Sequence, residues 1–377
     1  MNSSLHQYGS SAMQITCIVS KHDSFELSSL LESLGVVEFE VQSARRTMLK
    51  EKRNNRKNSP LLEELVDILR FYVPTENTEQ IVSTLSVKFG FGEPGRGSLV
   101  VRSVSLAGVD VKLKSCADLG EICVKENSDN SNGYINQDLA ALCCIVPRGE
   151  AASIARVVLE AGLGAPTVTY GKGVGNRGEL GLIRIAIPVE KEIVTLLLSS
   201  HDVEEAFHLI NVVMKLGSRP GAGFCYWYPI ESGILDTRLW VGSQPYVASM
   251  EQVIAALDGL TGDTRWRSKK GDNFKASGIP LEMESYTIHG SEGETEGIVK
   301  EALRAGAGGA TQILLRRERF GEKNRMSSAR EVIELIVTED VLPQIHKAVT
   351  DCNLISEDVF VETSNVAAAS GYRQQSN

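Results

Sequence analysis

The 377-residue chain has little of what marks several large classes of protein. No apolar run approaches the ~20 residues needed to span a bilayer. Residues 1–12 are polar and carry no apolar core of a leader peptide, so the expected location is the cytoplasm, with neither secretion nor membrane insertion. Positive charge is not in excess: 39 Lys and Arg against 48 Asp and Glu leave a net charge of −9. That balance argues against a general nucleic-acid binder, which would present a basic face. The seven cysteines are odd in number, scattered, and mostly set in apolar runs such as 141–146, a pattern that suits reduced, buried thiols. Cys143 and Cys144 would point to opposite faces of a strand and share no metal.

Catalytic signatures are equally sparse. The six histidines (His6, His22, His201, His208, His289 and His346) occur singly, none in a His-x-x-x-His spacing and none beside a nucleophile motif. Glu204 and Glu205 are adjacent on a helix and so cannot face one another as an acid–base pair. A P-loop and a dinucleotide fingerprint are both missing. The expectation is therefore a protein with no catalytic residues and no metal, not an enzyme.

What is present is an ordinary soluble composition, 42% apolar and 23% charged, in a chain long enough for two to four domains. Over 142–230 the hydrophobic period changes repeatedly. A short apolar strand at 142–146 precedes a helix at 151–161, where Ile154, Val157, Val158 and Ala161 share a stripe. Strands at 165–170 and 182–188 then form a hairpin around a glycine-rich turn, followed by a helix at 203–216 and a last strand at 224–230. The order is βαββαβ, whose natural packing is an antiparallel sheet with both helices on one face, a ferredoxin-like unit.

The same order reads upstream from strands at 14–19, 39–44, 68–73 and 98–104 with helices at 25–34 and 78–89. It reads again downstream from strands at 282–288, 311–316, 331–338 and 359–363 with helices at 294–305 and 341–352. The expected fold class is thus α+β, three tandem ferredoxin-like units. Expected boundaries are 12–115, 139–240 and 281–366, joined by a polar linker at 116–138 and a connecting segment at 241–280, with a helix at 249–260 and an edge strand at 264–269. Residues 367–377 read as a small, polar, disordered tail.

Two loops of the middle unit carry a resemblance. Lys172-Gly173-Val174-Gly175 follows its second strand, and Pro220-Gly221-Ala222-Gly223 precedes its last; the first unit has Pro94-Gly95-Arg96-Gly97 in the latter place. In these motifs the chain resembles the PII signalling family, whose T-loop opens on Lys-Gly-x-Gly and whose B-loop holds two glycines separated by one residue. The resemblance implies a trimer-like arrangement, here an intrachain pseudo-trimer of three units. It also implies a regulatory protein that holds an adenine nucleotide (AMP, ADP or ATP) or another small anionic metabolite between units. Gly173, Gly175, Gly221, Gly223, Gly95 and Gly97 match the family's ligand loops, with Lys172, Arg177 and Arg219 as nearby cations. The lysine that the family places after the second B-loop glycine is Phe224 here and Ser98 in the first unit, which weakens the case for a full triphosphate and puts a mono- or diphosphate, or another small anion, on an equal footing with it.

Glycines at such turns let backbone N–H groups approach an anion and permit φ > 0. Each pair also reads as a tight turn that lets strand follow helix. The loop after the first unit's second strand carries Lys50, Lys52, Arg53, Arg56 and Lys57, which suit a partner with an acidic surface, a transporter or an enzyme by the resemblance, or a solvated loop. A non-sensing structural or interaction scaffold is the alternative function.

Overall fold

The computed structural model describes residues 9–50, 59–108, 135–175, 190–241, 283–320, 325–352 and 358–371. The first third comprises β1 (Ser10–Ser20), α1 (Ser24–Ser33), β2 (Glu38–Lys50), β3 (Leu61–Val73), α2 (Thr78–Phe89) and β4 (Ser98–Gly108). The middle comprises β5 (Leu139–Pro147), α3 (Ala151–Glu160), β6 (Thr167–Val174), β7 (Glu190–Ser199), α4 (Val203–Met214), β8 (Phe224–Ile230), β9 (Ser232–Ile234) and β10 (Trp240–Val241). The last comprises β11 (Met283–Ser291), α5 (Thr295–Arg304), β12 (Ala310–Phe320), β13 (Arg325–Thr338), α6 (Leu342–Asp351), β14 (Phe360–Val366) and β15 (Ala368–Gly371).

The helices form where apolar residues recur at helical spacing, and each buries that stripe against strands. α3 buries Ile154, Ala155, Val158 and Leu159, and α5 buries Ile298, Val299 and Ala302. α2 ends at Gly90, whose φ of +83° is the left-handed C-terminal conformation that glycine adopts without strain. Three apolar clusters lie under the helix pairs, centred on Leu31, Phe71 and Leu85, on Leu142, Val194 and Ile210, and on Ile288, Leu335 and Ile345. Full burial of each such side chain contributes roughly 1.5–3 kcal/mol.

The expected fold class is corrected here. The fifteen described strands make one sheet, and nine of them, β2-β3-β1-β4-β14-β11-β13-β12-β6, close into an antiparallel β-barrel. Three separate ferredoxin-like units packed as a pseudo-trimer do not describe it. The βαββαβ element order does recur, but the units do not keep their own edges: β4 pairs with β14, so that Leu106 faces Glu362. The other closure is a three-way exchange, with Val41 of β2 facing Arg316 of β12, Thr311 of β12 facing Gly173 of β6, and Val168 of β6 facing Arg45 of β2. Exposed strand edges present unpaired N–H and C=O groups, and closure satisfies them. Hydrophobic period specifies a strand and its buried face but not the strand that pairs with its edge.

Two further corrections have local causes. The partner of β6 is β7, in register from Thr167 opposite Thr195 to Lys172 opposite Glu190, whereas the hairpin strand expected at 182–188 lies outside the described residues. The charged start of β7 hides it in the sequence; Glu192 is buried there because its Oε2 accepts from the N–H groups of Gly149 and Ala151 at the start of α3. The tail expected to be disordered supplies β15, whose Ala368 and Ala369 pair with Trp227 and Tyr226 of β8. Small residues there let the strand lie flat on that edge. The helix expected at 249–260, the edge strand at 264–269 and most of the linker lie outside the described residues. Among the described residues no helix is long and apolar enough to cross a membrane, which says nothing of crossing by strands.

Candidate functional site

The two glycine turns expected to cradle an anion are built tightly onto neighbouring strands. Gly95 and Gly97 have φ of +95° and +108°, and Gly221 and Gly223 of +73° and +133°. A Cβ on Gly97 would sit 2.1 Å from the Ile18 carbonyl oxygen, and one on Gly223 2.4 Å from that of Ile145. Backbone proximity to β1 and β5 therefore accounts for Gly97 and Gly223 without a ligand.

Of the expected cations, Arg219 is engaged. Arg219 donates to Glu150 at 2.6 Å, fastening the Gly221–Gly223 turn to the residue that precedes α3. Arg96 does the same in the first third, reaching Asp23 at 3.6 Å and Glu26 at 3.3 Å over the Phe89 ring. Gly95 faces the Arg238 guanidinium, from which an added Cβ would stand 3.2 Å, so a cation lies where an anion was expected.

Lys172 and Gly173 are drawn instead onto β12, opposite Gln312 and Thr311, while Gly175 is exposed just beyond β6. The two loops of the middle third thus stand on different partners, β12 and β5. Lys50, the last residue of β2, is exposed; Arg177, Lys52, Arg53, Arg56 and Lys57 lie outside the described residues.

The polar chemistry collects instead on the inward face of the barrel. Residues alternate along each strand, so the face opposite the helices carries Gln14, Glu40, Tyr72, Arg102, His289, Glu334 and Glu362, all buried or nearly so. His289 Nδ1 lies 3.0 Å from Glu40 Oε1 and its Nε2 lies 3.7 Å from Glu362 Oε2. Glu362 Oε2 also accepts from the Tyr72 hydroxyl at 2.6 Å and the Gln14 amide at 2.7 Å. Beneath, the imidazole stacks on Phe360 with ring centres 4.3 Å apart.

Burial alone would lower the His289 pKa, but the Glu40 and Glu362 carboxylates outweigh it and push it up to about 9. The imidazole is therefore protonated at neutral pH, and the carboxylates are held below their ordinary range against the upward pull of burial. Glu334 goes the other way, raised by burial although it accepts from the Tyr226 hydroxyl at 2.6 Å. Glu284, buried and close to Glu339, is pushed up to about 7.

Next to this network lies a pair of buried arginines, Arg317 and Arg330, with Glu40, Asp358 and Glu38 as the nearby negative charges. Arg330 is only 1% exposed, and its Nε and Nη1 have no hydrogen-bond partner, while Nη2 donates to the Asp358 carbonyl at 2.9 Å. Arg317 reaches the Asp358 carboxylate at 3.1 Å. Burial first and the Arg317 charge second depress the Arg330 pKa, the signature of two cations confined together. Asp358 has 47% of its side chain exposed, whereas both arginines are buried.

Arg317 and Arg330 stand out in the sequence, with Arg316, Arg319 and Arg325, as arginines of a loop that could face a neighbouring unit's cleft or solvent and suit bidentate phosphate contact; the rest of the network was not expected as a site, yet a signal exists. Glu40, Gln42 and Arg46 alternate with Phe39 and Val41 on β2, and Arg330 and Glu334 with Ile333 and Leu335 on β13. Polar residues at period two on a strand ordinarily mean a solvated face; only closure of the barrel turns that face inward.

No family model matches the chain, and no curated protein matches it. Among solved structures, the alignment to aspartate kinase from Synechocystis has 9% identity over 63% of this chain and 52% of that one, with a TM-score of 0.17. That to the full extracellular region of zebrafish Gpr126/Adgrg6 has 8% identity over 97% of this chain and 54% of that one, with a TM-score of 0.14. The chain spans about half the length of each, and likenesses this slight carry no argument for fold or function.

Proposed function

We propose that the protein is a binding protein for a small anion of the carboxylate or phosphate class, held by Arg317 and Arg330. The carrying observation is the buried Arg330 guanidinium, with two unpartnered nitrogens beside a second arginine. Leaving buried charged donors unpaired costs roughly 1–3 kcal/mol or more, and an anion bonded to both guanidinium groups would remove that cost. Arginine presents a planar fork of donors that suits bidentate contact with carboxylate or phosphate oxygens.

Binding would tie β12, β13 and the segment before β14 together, and the positive charge of Lys50, Lys52, Arg53, Arg56 and Lys57 suits an acidic partner surface to which occupancy could be relayed. The anion site stands on Arg317 and Arg330, whichever family the chain belongs to. Thermal-shift and calorimetric titration with phosphate, acetate, citrate and AMP tests it in ligand-free protein. An anion at 100 times its Kd should add about 2.7 kcal/mol of stability, and Arg330→Met should abolish the gain. Absence of stabilisation by any of the four would leave the scaffold function standing.

A further inference from the structure

The chain between β9 and β10 crosses a cleft as a short strap. One end is held where Ser232 and Ile234 pair with Val101 and Leu99 of β4, and the other where the Leu49 N–H donates to the Leu239 carbonyl at 2.8 Å and β10 runs beside the end of β2. At its middle the Asp236 carboxylate, 1% exposed, points into the cleft and pairs with the Arg46 guanidinium, itself only 4% exposed. Arg238 on the same strap folds back on that carboxylate, with Nε at 3.1 and 3.2 Å and Nη2 at 3.0 Å, and reaches Glu64 at 3.5 Å. The Asp236 N–H donates to the Ser98 hydroxyl at 2.8 Å. Around the pair the cleft is lined by Thr167, Thr195, Thr237 and Leu197.

Ser98 directly follows Gly97, so the first glycine turn and Arg46 together form a receptor into which the chain inserts a carboxylate of its own. We propose that residues 232–241 are an internal ligand: Asp236 is a tethered anion that occupies a carboxylate site on Arg46, and a free carboxylic acid takes that site when the strap lifts. The threonine hydroxyls beside Arg46 favour a short acid bearing a hydroxyl or carbonyl oxygen over a purely aliphatic one. The part that has to lift is 235–238, a stretch partly exposed and without strand pairing between the buried anchors Ile234 and Leu239. This site is separate from the Arg317–Arg330 pair and is independent of it.

The test is chemical rescue in the full chain. Asp236→Ala removes the tethered carboxylate and leaves Arg46 unpaired, so its Tm should fall. Formate, acetate and glycolate should restore about half or more of the loss in a saturable way that chloride at equal ionic strength does not reproduce, and wild type, in which the acid competes with Asp236, should be stabilised much less at the same concentrations. Adding Arg46→Gln to Asp236→Ala should abolish the rescue, whereas adding Arg330→Met should not. Rescue no better than chloride would make the strap a structural staple and overturn the proposal. If Asp236→Ala does not fold, hydrogen exchange of 232–241 in wild type decides: protection falling as glycolate rises supports a displaceable strap, and protection unchanged at the highest glycolate overturns it.

Discussion

Replacing His289 with leucine is expected to destabilise the protein by about 3–5 kcal/mol, the usual cost of removing one partner from a buried ionic cluster. The imidazolium is flanked by Glu40 from β2 and Glu362 from β14, with Tyr72 from β3 bonded to the same Glu362 oxygen. Without it, two carboxylates share a dry interior and must take up protons to remain there. The variant should therefore gain stability from these two carboxylates as pH falls, whereas in wild type their contribution is lost as pH falls.

The wild-type pH profile follows from the same groups. A histidine pKa raised from 6.5 to about 9 gives stability that is fully present below pH 6.5 and is lost as pH rises through 9, up to about 3 kcal/mol in all. Glu40 and Glu362, held low, contribute stability present above the ordinary carboxylate pKa and lost as pH falls through their depressed values. Glu284 acts oppositely: raised to about 7, its carboxyl favours the folded state when protonated, and that advantage is lost as pH rises from 4.5 to 7. Glu284→Gln should thus flatten the profile below pH 7 and raise Tm at neutral pH, whereas His289→Leu should flatten it above pH 7. Urea midpoints measured from pH 4 to pH 10 separate the two. An unchanged alkaline limb in the leucine variant would show that His289 is not charged in the folded protein.

The second large effect is expected at two glycines. Gly97→Ala and Gly223→Ala should each cost about 2–4 kcal/mol, because positive φ strains any L-residue and the new Cβ would meet a strand carbonyl at 2.1 or 2.4 Å. Gly221→Ala is the control: its φ is +73° but nothing lies within 4 Å of an added Cβ, so only the conformational cost of about 1 kcal/mol applies. Chemical denaturation of the three variants should rank them in that order. Equal stability of Gly221→Ala and Gly223→Ala would mean that the turn relaxes away from Ile145, and that a ligand role for the second glycine has to be considered again.

The contrast between these turns and the barrel interior shows how far the residues could be read alone. The positive-φ turns were legible because glycine before a strand has few other uses. α2 was legible to the residue, since a clean helical stripe runs from Thr78 to a glycine at position 90. β7 was missed because its opening Glu-Lys-Glu looks like a solvated turn until Glu192 is seen accepting from the start of α3. β15 was missed because Ala368–Gly371 has no pattern of its own and is a strand only by virtue of the β8 edge it completes.

β7 and β15 aside, the sequence by itself determined where the described chain extends, where it coils, and which face of those elements is apolar, because those properties depend on residues a few positions apart. The tertiary structure decided which edges meet and hence what the other face becomes. Backbone hydrogen bonds along an edge are nearly the same for every residue type, so nothing in the sequence of β2 names β12 and β6 as its partners. Once they pair and the barrel closes, Glu40, His289, Glu362 and Arg330 pass from an apparently solvated face to a dry interior. There charges must pair with one another, as around His289, or stay unpaired, as at Arg330.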